Sequence, residues 1–117
     1  MAKKKTKKDL ASAMEYSFKG KLWKYEGHAG WCFITLPKML SKKIRSVHNS
    51  SEEGWGRLQT CAFIGDSSWK TAIWFDTKSD AYLLPVKLAI RKKEKLEIGQ
   101  SFAVKLQFEI DDWLMSL

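Results

Sequence analysis

Apolar and polar residues alternate along several segments of the chain, the pattern of β-strands that bury one face. The clearest example lies near the C-terminal end, where one parity carries Phe102, Val104, Leu106, Phe108 and Ile110. A second example lies near the N-terminal end, where one parity carries Met14, Tyr16, Phe18 and Leu22. We expect two long antiparallel strands that turn these side chains toward one interior.

Three shorter segments, WCFITL, RLQTCAFIG and WKTAIWF, indicate further strands. The first two are largely apolar on both parities, which is typical of central strands or of strands in a closed barrel. The third places Trp69, Thr71, Ile73 and Phe75 on one side. Turn sequences rich in glycine, serine and aspartate separate these segments. Five or six short strands at this spacing predict a barrel or a sandwich.

Two helices are predicted where Leu-Pro opens an amphipathic segment, in LPKMLSKKIR and LPVKLAIRKK, because proline suits the first turn of a helix. Their apolar faces are Leu40, Ile44 and Val47 in the first and Val86, Ala89 and Ile90 in the second. The order strand, strand, helix, strand thus occurs twice. We predict a mainly β fold, a small closed or double-split β-barrel of about six strands, with two short proline-initiated helices and pseudo-two-fold halves.

The ends of the chain differ in character from its middle. Residues 1–12 hold five of the lysines and predict a basic disordered tail, residues 13–111 a β-barrel domain, and residues 112–117 an apolar C-terminal tail. The net charge of +8 falls to +3 without residues 1–8, which leaves 16 basic and 13 acidic residues. The lysine tail either keeps the protein soluble or binds polyanions without sequence preference. The apolar tail should dock on the barrel or on another subunit, so a homodimer is a possible assembly.

The sequence around the two cysteines indicates the cellular compartment. Cys32 and Cys61 lie inside apolar segments, and no export signal precedes them. We therefore predict reduced thiols in a cytoplasmic protein. No run of 18 or more apolar residues occurs, so no membrane association is predicted.

The basic run in the second Leu-Pro segment is the first candidate site. Lys87, Arg91 and Lys95 recur four residues apart and would form one stripe on a helix. Such a stripe is either the solvated side of an amphipathic helix or an anion-binding face, which the basic residues of the first helix could extend. Arg91 is the preferred ligand residue, since its planar guanidinium can hold phosphate or carboxylate with two hydrogen bonds. With a pocket at the barrel end, the candidate ligand-binding residues are Arg91, Lys87, Trp31 and Trp69.

Other chemistry is less well supported by the sequence. His28, His48 and the two cysteines lack the close spacing of metal ligands, and no nucleophile motif or phosphate-binding glycine loop occurs. We predict no catalytic residue, no metal and no cofactor, although an enzyme is not excluded. Trp23 lies between Lys21 and Lys24, and Tyr25 follows Lys24, which fits stacking on single-stranded nucleic acid as well as packing in a core or interface.

Three segments resemble a known family: FKGKLWKYEGHAGWCFITLP, GDSSWKTAIWF and YLLPVKLAIRKKEKLEIGQSFAVKLQFE. The family is the small β-barrel domain of unknown function nineteen hundred and five, whose members occur alone or fused to a bacteriocin-protection module. The resemblance implies a double-split β-barrel with pseudo-two-fold halves. It implies no activity, substrate or catalytic residue. Members usually carry aspartate after the glycine of the last turn, where this chain has Gln100.

Three functions remain open from the sequence. The first is a bacterial-type binding module for an anionic ligand, with nucleic acid or an anionic small molecule as partner. The second is a protein-interaction or stress- and bacteriocin-resistance accessory domain that uses the apolar tail or exposed tryptophans. The third is a small-molecule binder or enzyme with its pocket at the barrel end, near Trp31, Trp69 and Arg91.

Overall fold

The structure, a computed structural model, describes residues 13–27, 30–48, 52 and 54–109, apart from the side chains of residues 13 and 55. The tails predicted at residues 1–12 and 112–117, together with Ile110 and His28, lie outside the described residues. The strands are β1 Ala13–Lys24, β2 Cys32–Thr35, β3 Arg57–Ile64, β4 Ser67–Asp76, β5 Ala81–Pro85 and β6 Ser101–Glu109. The helices are α1 Lys38–His48 and α2 Leu88–Lys93, with a 3-10 turn at Gly54–Gly56.

The six strands close into a barrel in the order β1-β2-β5-β4-β3-β6, and every pairing is antiparallel. The longest ladder joins β1 to β6 and runs from Ala13 opposite Glu109 to Lys21 opposite Ser101. A closed barrel pairs the backbone of both edge strands and so removes exposed sheet edges. The predicted fold class, a small mainly β barrel with two short helices, is confirmed.

Two neighbouring strand pairs separate soon after they meet. β1 pairs with β2 only along its last residues, Leu22 to Lys24, and β4 pairs with β5 only along Trp74 to Asp76. The earlier parts of β1 and β4 keep β6 and β3 as partners. The wall therefore opens on two sides, as a double-split barrel requires.

The two halves are related by a pseudo-two-fold exchange of β1 with β4, β2 with β5 and β3 with β6, which maps the strand order onto itself. The Leu36 N–H donates to the Tyr82 carbonyl at 2.9 Å, and the Val86 N–H donates to the Cys32 carbonyl at the same distance. These bonds match Leu36 with Val86, a step of fifty residues along the chain. The same step takes Lys38, the first residue of α1, to Leu88, the first residue of α2.

This structural repeat is displaced by two residues from the Leu-Pro repeat in the sequence. Pro37 directly precedes α1, as expected for a residue at a helix start. Pro85 is instead the last residue of β5, paired with Phe33, and α2 begins three residues later. Proline thus initiates α1 as predicted. Pro85 lies three residues before α2 and does not initiate it.

The interior includes the described side chains that the alternation assigned to it in β1 and β6. Phe18 and Phe102 are partly buried and pack against the core. The largest fully buried apolar side chains are Leu22, Ile34, Leu36, Ile44, Leu58, Ile73, Tyr82, Leu84 and Leu106. Each buried leucine or isoleucine stabilises the fold by about 1.5–3 kcal/mol relative to exposure to water.

The inward faces of both helices differ in part from the prediction. Val47 is 47% exposed, whereas Ser41 and His48 are buried beside Ile44 on the core side of α1. Ser41 suits the core because its hydroxyl accepts the Tyr82 N–H at 3.0 Å, and a buried donor needs such a partner. Ala89 of α2 also faces solvent.

The basic stripe is shorter than predicted. α2 ends at Lys93, and Lys95 beyond it has a φ of 55°. Lys95 therefore does not continue the helical stripe of Lys87 and Arg91, since a residue in the left-handed region lies outside a right-handed helix.

Candidate anion-binding pocket

The main candidate site is a pocket of about 380 Å³ in the split between β4 and β5. It is bounded by the start of β2, the start of β4, the end of β5 and the first turn of α2. All four residues proposed from the sequence line it, namely Trp31, Trp69, Lys87 and Arg91. Residues that are up to sixty positions apart in the chain are thus brought together around one cavity.

The pocket has an apolar floor and an aromatic rim. Trp69 is only 7% exposed, because it points inward from β4, and Cys32 and Val86 are buried beside it. Trp31 stands at the rim and is 52% exposed. Gly30 precedes it with a φ of 61°, a conformation that glycine adopts without strain. A flat apolar group could enter between these rings.

The polar side of the pocket is cationic. Lys70, Lys87 and Arg91 line it, and the described lining residues include no aspartate or glutamate. The Arg91 Nε donates to the Val86 carbonyl at 3.1 Å, which orients the guanidinium, while its two terminal nitrogens make no hydrogen bond to the described residues. Lys87 occupies the N-cap position of α2, and its side chain makes no capping hydrogen bond. Three cations around one cavity raise its affinity for anions.

The acidic residue nearest to Arg91 in the sequence is turned away from the pocket. Glu94 caps the end of α2 and accepts a hydrogen bond from the Ser67 hydroxyl at 2.5 Å. This contact anchors α2 to the turn between β3 and β4. The carboxylate is thereby kept from neutralising Arg91, and the helix that carries Arg91 is held in place.

Rings on the outer face of β1 and β2 form an aromatic cluster around Phe33. Trp31 stacks on Phe33 with centroids 5.9 Å apart, Trp23 lies at 5.3 Å and Tyr25 at 6.4 Å. The Trp23 Nε1 donates to the Thr35 hydroxyl at 2.8 Å. This hydrogen bond holds the Trp23 ring in place. Trp31 and Tyr25 are the exposed rings of the cluster.

A second concavity of about 400 Å³ lies on the outer face beside the pocket. It shares Trp31 and Lys70 with the pocket and extends to Trp74 and Arg57. Sequence reasoning missed Lys70, Trp74 and Arg57 as site residues. The outward parity of β4 carries both Lys70 and Trp74, so the alternation contained a signal for this surface.

The basic residues of α1 do not extend the pocket. α1 and α2 begin at opposite ends of the β2–β5 pair, and the pocket takes its described cations from β4 and from the α2 region. Arg45 instead contacts Glu52 at 3.2 Å and lies 3.9 Å above the Phe75 ring. Glu52 also accepts a hydrogen bond from the Tyr82 hydroxyl at 2.5 Å. Burial raises the pKa of Tyr82, and the contact with Glu52 raises it further. The expectation of one basic patch built by both helices is not met.

Another polar pair is buried where the end of α1 packs against β1. The Tyr16 hydroxyl lies 3.0 Å from His48 Nε2, and the imidazole stacks on Phe108 with centroids 4.7 Å apart. Burial lowers the pKa of His48 and raises the pKa of Tyr16. Both shifts favour the neutral forms, in which the Tyr16 hydroxyl can donate a hydrogen bond to an unprotonated Nε2 of His48. Within the described part of the chain, no three His, Cys, Asp or Glu side chains gather as metal ligands would.

None of the helices described in the structure is long and apolar enough to cross a bilayer.

Comparison with known proteins places the fold and the pocket in a family without an assigned activity. No curated protein matches the chain. The family model described as "Domain of unknown function (DUF1905)" matches residues 18–106, which includes every strand in whole or in part and all four candidate pocket residues. Because the match covers most of the chain and the barrel agrees with it, this protein belongs to the DUF1905 family.

Proposed function

We propose that the protein is a binding module for a small anionic molecule that carries a flat apolar or aromatic part. The proposed ligand occupies the pocket between β4 and β5. The observation that carries the proposal is the position of Arg91, whose Nε is fixed on the Val86 carbonyl at the edge of an apolar cavity. A guanidinium oriented in advance loses little freedom when it binds an anion.

Each part of the proposed ligand has a matching part of the pocket. A carboxylate or phosphate would lie against the terminal nitrogens of Arg91, with Lys87 and Lys70 as additional positive charges. The flat part would lie between the exposed ring of Trp31 and the floor formed by Trp69. A cavity of about 380 Å³ is within the size range of small-molecule sites.

The proposal is one of binding rather than catalysis. The described pocket lining offers the Thr71 hydroxyl, the Cys32 thiol and two lysine amines, but no histidine or carboxylate that would activate one of them as a nucleophile. The Cys32 thiol points to the Gly30 carbonyl at 3.7 Å. Binding with Arg91 as anchor needs no further group.

Isothermal titration calorimetry with inorganic phosphate, benzoate and thymidine monophosphate tests the proposal. We expect the two ring-bearing anions to bind more tightly than phosphate, because only they use the aromatic walls. Arg91→Ala should weaken their binding by roughly ten- to a hundredfold, since a charged hydrogen bond contributes about 1.5–3 kcal/mol. Lys93→Ala on the same helix is the matched control, because it removes one charge outside the pocket lining.

The salt dependence gives a second readout. Binding through Arg91 and Lys87 should weaken as salt is raised, because exposed charges are screened. Equal effects of Arg91→Ala and Lys93→Ala would show that the anions respond only to net charge. That result would refute the pocket as the binding site.

A further inference from the structure

The pocket continues along the outer face of the barrel to a second aromatic position, Trp74. The pocket and the neighbouring concavity share Trp31, Lys70, Thr71 and Pro85, so they form one groove. The groove runs from Arg91 at the start of α2, past Trp31 and Lys70, to Trp74 on β4. Its total length exceeds what a small ring-bearing anion can fill.

The Trp74 ring is accessible to a ligand, whereas the equivalent tryptophan of the other half, Trp23, is held by a hydrogen bond to the barrel. The ladders pair Trp23 with Phe33 and Trp74 with Leu83, so the pseudo-two-fold exchange places Trp74 where Trp23 stands in the first half. Trp23 donates to the Thr35 hydroxyl, but the position equivalent to Thr35 is occupied by Pro85, which has no hydroxyl. The indole N–H of Trp74 has no hydrogen bond among the described residues, and the residue is 39% exposed.

The spacing of the two exposed tryptophans sets the size of the ligand. Trp31 precedes β2, and Trp74 lies on β4, with β5 between them. Two strand spacings and an offset of four residues along the strands separate their backbones by roughly 16 Å. A ligand with rings in series can reach both indoles at this separation of their backbones.

The cationic side chains along the groove favour a ligand whose rings are joined by anionic groups. Lys70 lines the same concavity as the two tryptophans, and the Arg57 guanidinium stands 5.6 Å from the Trp74 ring centre. The described residues that line either concavity include no carboxylate. Anionic groups that alternate with flat rings match this sequence of aromatic and cationic side chains. Single-stranded nucleic acid has that chemistry, because each unpaired base offers a face for stacking and each linkage carries a charge.

We propose that the groove from Arg91 to Trp74 binds single-stranded nucleic acid, with one nucleotide in the pocket and a later base on Trp74. The proposal rests on the proposed function, since the pocket nucleotide is the anion held by Arg91. A duplex should not bind the groove in this way, because the bases of a duplex keep their faces stacked on each other. The groove reads no base edges in this arrangement, so binding should tolerate many sequences.

Fluorescence anisotropy with a labelled oligothymidylate of about 12 nucleotides tests the proposal on the full chain. We expect the oligonucleotide to bind at least tenfold more tightly than thymidine monophosphate and more tightly than a duplex of the same length. Trp74→Ala should weaken oligonucleotide binding about tenfold while leaving thymidine monophosphate binding unchanged. Trp74→Phe keeps a ring and should restore most of the affinity, which separates stacking from damage to the fold.

A matched control distinguishes the groove from other surfaces that attract nucleic acid. Met39→Ala removes an exposed apolar side chain on α1, and it should leave oligonucleotide binding unchanged. Binding that survives Trp74→Ala at wild-type strength would overturn the proposal, because the strand would then be held elsewhere, for example by the lysines of residues 1–8.

The proposed function and this inference can fail separately. If thymidine monophosphate binds through Arg91 but the oligonucleotide binds no better, the pocket stands and the groove is refuted. If the oligonucleotide depends on Trp74 but neither ligand depends on Arg91, the proposed function fails and the path through the pocket fails with it. If Trp74→Ala instead turns a dimer into a monomer in sedimentation and nucleic acid does not bind, the surface joins two copies and the inference is wrong.

Discussion

Gly20 is a position where the core of the barrel leaves no room for a side chain, and Gly20→Ala should destabilise the fold markedly. Gly20 is buried on β1 opposite Phe102 of β6. A Cβ atom placed there would lie within about 2.4 Å of Ile34 Cγ2 and 3.4 Å from the Thr35 carbonyl oxygen. Ile34 is fully buried, and a β-branched side chain has one strongly preferred rotamer, so its methyl cannot simply turn aside. The backbones of β1 and β2 must therefore move apart.

The expected cost is that of an overpacked core, about 1–3 kcal/mol in the free energy of unfolding. Urea denaturation followed by tryptophan fluorescence should show the midpoint lowered by about 1 M at an m-value near 2 kcal/mol/M. Gly54→Ala is the matched control, because a Cβ there meets no atom within 4 Å. The double variant Gly20→Ala with Ile34→Leu, which lacks the clashing methyl, should recover part of the loss. A Gly20→Ala midpoint equal to that of the control would refute the reasoning.

Two further predictions concern buried polar pairs. The lowered pKa of His48 means that the folded state binds its proton less readily than the unfolded state, so stability should fall as the pH drops below about 6.5. Unfolding free energies measured between pH 8 and about 5 should show a smaller fall for His48→Gln, and equal pH profiles would contradict the assignment. Tyr82→Phe removes the hydroxyl that donates to Glu52 and should cost about 2 kcal/mol, since a hydrogen bond to a charged group is lost. Urea denaturation checks this cost, and a midpoint unchanged from wild type would show that Arg45 alone satisfies Glu52.

The strands could be predicted from the sequence because burial has a period of two along them. The inward parity of β1 and β6, from Tyr16 to Leu22 and from Val104 to Phe108, follows directly from which residues are apolar. The helix faces were predicted less well for a physical reason. α1 buries Ser41 in place of Val47 because the Tyr82 N–H needs an acceptor, and hydrophobic periodicity carries no information on such a need.

The candidate pocket residues could be predicted only where they lie near a recognisable chain feature. Lys87 and Arg91 follow Leu-Pro, and Trp31 and Trp69 stand at the starts of strands. Lys70 and Trp74 were missed because their place beside Trp31 depends on the register of β4 against β5 and β2. Register between distant strands depends on tertiary packing and turn geometry, which one sequence without relatives does not reveal.

One pair of equivalent residues explains why the split is longer in the half of the pseudo-symmetric barrel that holds the pocket. Gly20 lies three residues before Trp23, and Thr71 lies three residues before Trp74, so Thr71 is the equivalent of Gly20 in the second half. Leu84 is likewise the equivalent of Ile34, by the repeat of fifty residues. At Gly20 the strands approach so closely that no Cβ fits between β1 and Ile34. Thr71 has a Cβ, and the β4–β5 ladder lacks the pair equivalent to Leu22 and Ile34, so β4 leaves β5 one position earlier than β1 leaves β2. Both splits are open, but the second reaches further along the strands, and Arg91 lines the pocket within it.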